Sequence, residues 1–191
     1  AAVMRAITAG KDRVAAGLEA RPVRQQRGDS ASTMRAGYQL LELKNSPLKQ
    51  DVKLSDLCGK TVALLASHPS TKTFEHISQQ CESSGKSAVK VSQFPDRGAT
   101  WLALRSGRAD ATLGYTGENG WLLQKQADLK RVGPIFDTVY AGIPVSKSSG
   151  NAKYWVEAIN SLIKDGTYQK ILAKYGVEDV AIDHSELNPG K

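Results

Sequence analysis

Strands and helices alternate regularly over residues 61–126, and this alternation restricts the fold more than any other feature. The pattern predicts strands at 61–65, 88–94 and 111–113, and helices at 70–84, 97–106 and 118–126. Alternation with helices of this length is typical of a mainly parallel sheet with right-handed crossovers. The sequence therefore predicts an α/β fold in which the block from about 54 to 135 is one lobe.

The segment LALRSGRADATLGY, residues 102–115, predicts a helix that stops and turns directly into a strand. Asp96 can cap the helix, and Gly107 can adopt the left-handed conformation that ends it. The strand 111–113 is too short and too apolar for a sheet edge, so we expect it to be buried. Its end would deliver Gly114, Tyr115 and Thr116 to the crevice where open α/β sheets bind ligands.

Composition sets the broad class of the protein. The 191 residues are 40% hydrophobic and 24% charged, which is typical of a globular chain of one large or two small domains and excludes disorder, collagen and coiled coil. The longest apolar runs, such as VALLA at 62–66, are far shorter than the roughly 20 residues that cross a bilayer. We expect a soluble chain, with any targeting segment outside it.

Charge and histidine content point away from nucleic acid and metal. The formal charge is +7, and residues 1–50 carry nine Lys or Arg against four Asp or Glu. These cations are not interleaved with aromatic residues, so they indicate a solvated face and no nucleic-acid partner. His68, His76 and His184 have no second ligand at metal spacing. We expect no metal, no cofactor and no catalytic residue.

The rest of the sequence predicts two crossings, that is, two places where the chain passes from one domain to the other. We predict the end of a helix at 3–9, with Gly10 as its stop, and a short strand at 13–16. A loop follows at 17–35 and contains a short helix that begins at Pro22. A strand at 37–43 leads into a polar linker at 44–53, where we place the first crossing. The second is the strand 138–145, which Gly142 and Pro144 place at an edge or between lobes. One domain then comprises 1–44 with 140–191, and the other comprises 45–139.

Two amphipathic helices complete the chain. Apolar residues recur at helical spacing in each predicted helix, and Gly166 and Gly176 end them. The first stripe is Trp155, Ala158, Ile159, Leu162 and Ile163, and the second is Tyr168, Ile171, Leu172 and Tyr175.

Several motifs together resemble a known family. LCGKTVALL at 57–65, a Ser/Thr turn that opens a helix, ALRSGRADA at 103–111, YAGIPVSK at 140–147 and LIKDGTYQKILAKYG at 162–176 occur in order. They resemble the family 3 extracellular solute-binding proteins of ABC transporters, most of which bind polar amino acids. The resemblance implies a type II periplasmic-binding-protein fold, with two α/β lobes joined by two crossing strands.

The resemblance also implies ligand-binding residues in the first lobe. AAGLEARPVR at 15–24 is similar to the family segment that holds the ligand carboxylate, with Gly17 and Arg24 in matching positions. A guanidinium suits this role because it donates two parallel hydrogen bonds to a carboxylate. Glu19 departs from the family's small hydroxyl residues, and its carboxylate would repel a bound carboxylate if both pointed into the cleft. A solvated loop arginine is the alternative for Arg24.

The second lobe departs from the family pattern as well. The family usually has an Asp after the central strand to pair with the ligand ammonium, whereas this chain has Tyr115, which cannot neutralise a cation. Ser67, Ser70 and Thr71 lie in the family's anion-binding turn, with one extra residue, and offer hydroxyls at a helix N-terminus. We therefore expect an altered pocket that favours an anion held by Arg24 over a free α-amino acid.

The resemblance implies an extracytoplasmic solute-binding protein, not an enzyme, that captures an amino acid or related small carboxylate by lobe closure. The closed form, a monomer, would dock on a membrane permease. Anchoring by a lipid outside this chain and secretion both remain open. Family members begin two strands and a helix earlier, so we expect lobe 1 to be incomplete and less stable, in a fragment or a degenerate member. A cytoplasmic LysR-like effector-sensing domain and a cyclohexadienyl-dehydratase-like enzyme are the alternatives.

The two cysteines predict a disulfide. Cys58 precedes the strand 61–65, and Cys81 lies near the end of the helix that packs back on that strand. Neither belongs to a CxxC or Cys/His cluster, so a zinc site is not indicated.

Overall fold

Six strands and seven α-helices are present in the part of the chain that the structure, a computed structural model, describes: residues 2–9, 15, 17–46 and 48–190. The strands are β1 (Leu18–Glu19), β2 (Asp29–Leu43), β3 (Thr61–Leu65), β4 (Lys90–Phe94), β5 (Ala111–Tyr115) and β6 (Leu129–Val145). The helices are α1 (Ala2–Thr8), α2 (Pro22–Gln25), α3 (Thr71–Ser83), α4 (Arg97–Arg105), α5 (Thr116–Lys125), α6 (Ala152–Lys164) and α7 (Thr167–Tyr175). Short 3-10 turns lie at Leu54–Leu57, Lys147–Ser149 and Glu178–Val180.

The chain divides into two compact units. Unit 1 comprises Ala1–Gly37, Thr116–Gly120 and Thr138–Lys191, and unit 2 comprises Tyr38–Tyr115 and Trp121–Asp137. The long strands β2 and β6 contribute residues to both units. The first crossing therefore lies inside β2, ahead of the linker at 44–53 where the sequence places it. Strand 138–145 is the second half of β6, which lies between β1 and β2 in the sheet order and not at an edge.

Unit 2 is built on the predicted alternating elements. β3 pairs in parallel with β4 and with β5, and β5 pairs antiparallel with β2 through Tyr38–Leu41. β5 is thus an inner strand, as its apolar sequence predicts. Asp96 accepts a hydrogen bond from the Ala99 N–H at the start of α4, and Gly107 has φ +70° just after its end, so both predicted helix boundaries are confirmed.

The larger of the two apolar clusters described in unit 2 is closed by a disulfide. Phe74 and Ile77 of α3 pack with the buried strand residues Leu40, Val62 and Leu64. The predicted Cys58–Cys81 bond is present, with the two Cα atoms 5.6 Å apart, and it ties α3 to the segment before β3. This bond forms because the amphipathic face of α3 places Cys81 against the sheet.

Unit 1 is arranged differently, and the loop predicted at 17–35 is wrong in part. Pro22 does begin a helix, but β1 and the first residues of β2 also lie in this range. The sequence from Ser30 to Ser32 is small and polar and lacks an apolar alternation, so it does not read as a strand. It is a buried strand here because it lies beside β6 in the sheet and the C-terminal tail pairs with it as well: Ala31 bridges Leu187, and Asn188 donates its N–H to the Ser30 carbonyl.

Of the remaining predicted elements, the helix ending near Ala9 corresponds to α1, and the two C-terminal amphipathic helices correspond to α6 and α7. Gly166 and Gly176 flank α7 in the left-handed conformation. The stop at Gly10 and, apart from Ala15, the strand at 13–16 fall outside the described residues.

Candidate functional site

A narrow cleft in unit 2 opens at the carboxyl ends of β3 and β5. Because the two strands are parallel, with Ala63 opposite Thr112, the loop after β3 and the last residue of β5 reach the same end of the sheet. The first turn of α4 closes the cleft. Its polar and aromatic lining residues are Tyr38, His68, Arg97, Thr100, Thr112 and Tyr115.

Three rings meet in this cleft. The Tyr38 ring lies edge-on to His68, with 4.5 Å between their centroids, and 5.8 Å from the Tyr115 ring. Tyr38 reaches this position because β2 pairs with β5, in register with Tyr115 opposite Tyr38. The Tyr115 hydroxyl is buried. At the position where the resemblance leads one to expect a carboxylate, the structure therefore has an aromatic wall.

The hydrogen bonding around His68 defines its tautomer. The backbone N–H of Ser70 donates to His68 Nδ1 over 3.1 Å. Since Nδ1 accepts this bond, the neutral ring carries its proton on Nε2 and acts as a donor there. A locally capped histidine is thus part of the turn after β3, and it also lines the cleft.

The predicted anion-binding turn lies in the same loop, but its hydroxyls are arranged differently from the expectation. Ser67 is in the left-handed region with φ 59°, and the Thr71 hydroxyl donates to the His68 carbonyl over 2.8 Å. Ser70 is fully buried, and its Oγ has no hydrogen-bond partner among the described residues. Of the predicted unit 2 residues, Tyr115 lines the cleft while these three lie in the turn that carries His68.

The predicted carboxylate-binding segment of unit 1 already contains a carboxylate. Arg21 Nε donates to Glu19 Oε2 over 2.6 Å, and Arg24 donates to the Glu19 carbonyl over 3.0 Å. The Glu19 carboxylate also lies 3.8 Å from the Arg24 guanidinium, and its side chain is only 18% exposed. The two arginines are therefore partly neutralised by Glu19. Gly17, with φ +71°, begins this segment.

Of the polar and aromatic residues that line the cleft, sequence reasoning missed Tyr38, His68 as a lining residue, Arg97, Thr100 and Thr112. A signal for Arg97 was available, because it follows the end of β4 by way of the helix cap Asp96, and strand ends of open α/β sheets are where ligands bind. Tyr38 carries no such signal. It reaches the cleft only through the pairing of β2 with β5.

The described residues contain neither a metal-binding cluster nor a helix suited to cross a membrane. No group of three or more His, Cys, Asp or Glu side chains in the described part of the chain is placed to hold a metal ion. Within the same residues, no helix combines the length and apolar character that a membrane span requires.

Comparison with known proteins places this geometry in context. No protein-family model matches the chain. A curated relative, the arginine-binding protein ArgT of Corynebacterium glutamicum, is 27% identical over 133 residues, which cover 69% of this chain and 44% of the relative. The chain thus spans less than half the length of this relative.

Solved structures give the fold. The crystal structure of the substrate binding protein of an amino acid ABC transporter matches with a TM-score of 0.63 and 21% identity, covering 90% of this chain and 74% of that one. An ancestral arginine-binding protein bound to arginine matches with a TM-score of 0.61 and 27% identity, covering 91% and 75%. The chain therefore has the type II periplasmic-binding-protein fold, and the predicted resemblance to amino-acid-binding proteins of ABC transporters is confirmed. The chain covers about three quarters of the length of each of these two solved chains.

Proposed function

We propose that this chain is the ligand-capturing part of an extracytoplasmic solute-binding protein of an ABC transporter, and that it binds an amino acid or a related small carboxylate. The observation that carries the proposal is the cleft at the carboxyl ends of β3 and β5, which has a guanidinium and an imidazole donor in its wall. It lies at the end of the sheet where open α/β folds bind ligands. The similarity to binding proteins of amino acid ABC transporters supports the same class of ligand.

In unit 1, we assign the ligand carboxylate to Arg24, with Gly17 leaving room for the approach of the ligand. Gly17 supports this role because an added Cβ there would meet nothing within 4 Å. Glu19 lowers the attraction, since any ligand carboxylate must share Arg24 with a carboxylate 3.8 Å away. Binding through Arg24 is therefore weaker than it would be with a small hydroxyl residue at position 19.

In unit 2, Ser67, Ser70, Thr71 and Tyr115 are the residues proposed to contact the ligand, alongside the cleft residues. Tyr115 offers a hydroxyl where an ammonium would need a carboxylate. An unpaired buried ammonium costs several kcal/mol, or roughly a thousandfold in affinity. Free α-amino acids are therefore expected to bind weakly, and anionic analogues without the amino group are expected to bind better.

The disulfide favours an extracytoplasmic location. Bonds such as Cys58–Cys81 persist in oxidising compartments and are rare in the cytosol. This counts against a cytoplasmic LysR-like effector-sensing domain. A membrane permease as partner, a monomeric state and either secretion or lipid anchoring complete the proposal.

A binding role is preferred to a catalytic one. An enzyme of the cyclohexadienyl-dehydratase type needs an acid in its cleft, and none of the described residues that line the unit 2 cleft is Asp or Glu. The solved neighbours reported above are binding proteins.

Calorimetry with L-glutamine and with its des-amino carboxylate tests the proposal on the wild type, Tyr115→Asp and Arg24→Ala. The carboxylate should bind the wild type more tightly, Tyr115→Asp should improve binding of glutamine, and Arg24→Ala should weaken both ligands. Arg27→Ala is the matched control, because Arg27 is an exposed arginine in the same segment. Tight binding of glutamine by the wild type that persists in Arg24→Ala would contradict the assignment.

A further inference from the structure

We propose that the unit 2 cleft is an anion subsite in which Arg97 binds a carboxylate group of the ligand, with His68 Nε2 as a second donor. This inference rests on the proposed function and specifies the chemistry of its unit 2 site. Arg24 in unit 1 is the cation that the family resemblance predicts. Arg97 is a second one, which the resemblance does not predict.

The charge of the cleft wall is the first support. Arg97 is half-buried at the first residue of α4, and none of the described lining residues is acidic. An arginine side chain is always charged at physiological pH, so a group that enters the cleft meets a fixed positive charge. Its planar fork also matches the geometry of a carboxylate.

The position of Arg97 is held by its helix. Asp96 accepts a hydrogen bond from the Ala99 N–H over 2.8 Å, and the buried Thr100 hydroxyl donates to the Arg97 carbonyl over 2.8 Å. The Asp96 carboxylate is thus directed at the backbone of α4. These bonds hold the backbone of the first turn in place, so little ordering is needed there when a ligand binds.

The donor on His68 is the second support. Ser70 N–H occupies Nδ1, which leaves the proton of the neutral ring on Nε2. Tyr38 packs edge-on against the ring and limits its rotation. A fixed N–H donor beside a guanidinium is an arrangement that binds an oxyanion and discriminates against a cation.

The size of the cleft limits what can enter. Its volume of about 30 Å³ accommodates roughly two water molecules, which is the space of one carboxylate group. The aromatic rings of Tyr38 and Tyr115 form part of the cleft wall. A guanidinium or ammonium group that entered the cleft would meet the like charge of Arg97, so arginine is a poor occupant although relatives of this chain are named for binding it.

Proton NMR of the histidine side chains tests the inference directly, with glutarate as the probe and its uncharged diamide as the isosteric control. Glutarate should shift the imidazole signals of His68 and leave those of His76 and His184 unmoved. The diamide should shift none of the three. In Arg97→Gln the glutarate dissociation constant should rise at least about tenfold, because a charge-assisted hydrogen bond is lost.

Two variants separate the role of Arg97 from a general loss of charge. Arg108→Gln removes the same charge from an exposed position in unit 2 and should leave the titration unchanged. Arg97→Lys keeps the charge without the planar fork and should bind glutarate with intermediate affinity. Equal affinities of Arg97→Gln and Arg108→Gln would overturn the inference.

The remaining outcomes distinguish the inference from the proposed function. If glutarate shifts backbone amide signals elsewhere while His68 stays unmoved, the chain binds carboxylates and the cleft subsite is wrong. If no signal moves at the highest soluble concentration of glutarate, both the subsite and the small-carboxylate function are overturned.

Discussion

The two units bury different kinds of side chain. Unit 2 has a continuous apolar cluster around Phe74 and Leu64, closed by the disulfide. Unit 1 buries alanines and small polar residues beside its apolar side chains, and hydrogen bonds hold its tail after α7. The buried polar residues of unit 1 are Gln25, Ser30, Ser32, Thr116, Asn119 and Ser185.

The tail of unit 1 is held by a hydrogen-bond network. The Ser185 hydroxyl donates to the Ser32 carbonyl over 2.6 Å, the Glu186 N–H donates to the Ser32 hydroxyl over 2.7 Å, and the Gln25 side chain donates to the Pro189 carbonyl over 2.8 Å. Such bonds each contribute about 1 kcal/mol net but are costly when one partner is left unsatisfied.

The outer surfaces differ as well. Among the described residues, most large hydrophobic side chains that remain exposed belong to unit 1. They are Val23, Tyr154, Trp155, Leu162, Ile171, Tyr175 and Leu187, against Leu102 and Trp121 in unit 2. Unit 2 thus combines a large apolar cluster with a crosslink, whereas unit 1 adds the hydrogen bonds of its tail to its apolar burial and covers its apolar surface less completely.

The largest effect is expected in hydrogen exchange measured before and after reduction of the disulfide, which compares the stabilities of the two units. The Cys58–Cys81 loop, with a sequence separation of 23, should stabilise unit 2 by roughly 3 kcal/mol. We therefore expect the amides of β3 to exchange on the order of a hundredfold more slowly than those of β2 at positions 30–36. Reduction should remove most of the difference. Equally slow exchange in both strands of the oxidised protein would contradict the ranking of the units.

The next largest effect on stability is expected where β6 approaches β2 closely in unit 1. A Cβ on Gly142 would overlap the Ala31 carbonyl oxygen, which cannot move without disturbing the tail pairing. Gly142→Ala should lower the free energy of unfolding by about 2–3 kcal/mol, measured by urea denaturation. Gly85→Ala is the control in unit 2, since its Cβ would meet nothing within 4 Å and only the left-handed φ of +72° penalises it, by about 1 kcal/mol. Equal losses would show that crowding is not the cause.

Tyr168→Phe tests the polar network of unit 1. The buried Tyr168 hydroxyl donates to the Thr33 carbonyl over 2.9 Å and accepts from the Ile182 N–H over 3.1 Å. Removing it leaves both backbone groups unsatisfied, so we expect a loss of about 1–2 kcal/mol in the free energy of unfolding. Tyr154→Phe, at an exposed position, should cost almost nothing.

The same tyrosine predicts a loss of stability in alkali. Burial raises the pKa of Tyr168 above its ordinary value. As the pH rises, the Tyr168 hydroxyl therefore loses its proton in the unfolded chain before it does so in the folded one. The contribution of Tyr168 to the free energy of unfolding is thus complete below about pH 10 and declines as the pH rises through the folded pKa. The decline should be shallower in Tyr168→Phe, and identical alkaline profiles would argue against a neutral buried phenol.

The smallest expected effect is a loss of stability in acid that arises from one ion pair in unit 2. The hydrogen bond from Arg105 lowers the pKa of Asp128, so the pair stabilises the fold above the ordinary carboxyl pKa and loses that contribution as the pH falls through the lowered value. Both side chains are more than a third exposed, so the effect should be less than about 1 kcal/mol. Thermal unfolding of the wild type and Arg105→Gln between about pH 5 and 3 would show the two curves converging.

The alternation of strands and helices over 61–126 was predictable to within a few residues because each element carries its own signal. The 3.6-residue period, the cap at Asp96 and the left-handed Gly107 act over a few neighbours. The disulfide was predictable for a related reason, since two short elements bring Cys58 and Cys81 together. The start of β2 was not predictable, because Ser30 to Ser32 is held in the sheet by β6, about 110 residues away, and by the tail, more than 150 residues away.

Local sequence patterns were enough to predict the α/β class, the order of elements in unit 2 and the Cys58–Cys81 disulfide. The folded chain was needed to show that Glu19 lies against Arg24, and that Tyr38, His68, Arg97 and Tyr115 share one cleft. The physical reason is the range of the interactions. Caps, turns and periodicity depend on neighbours within a helical turn, whereas a binding cleft depends on strand register between segments tens of residues apart, which no local pattern encodes.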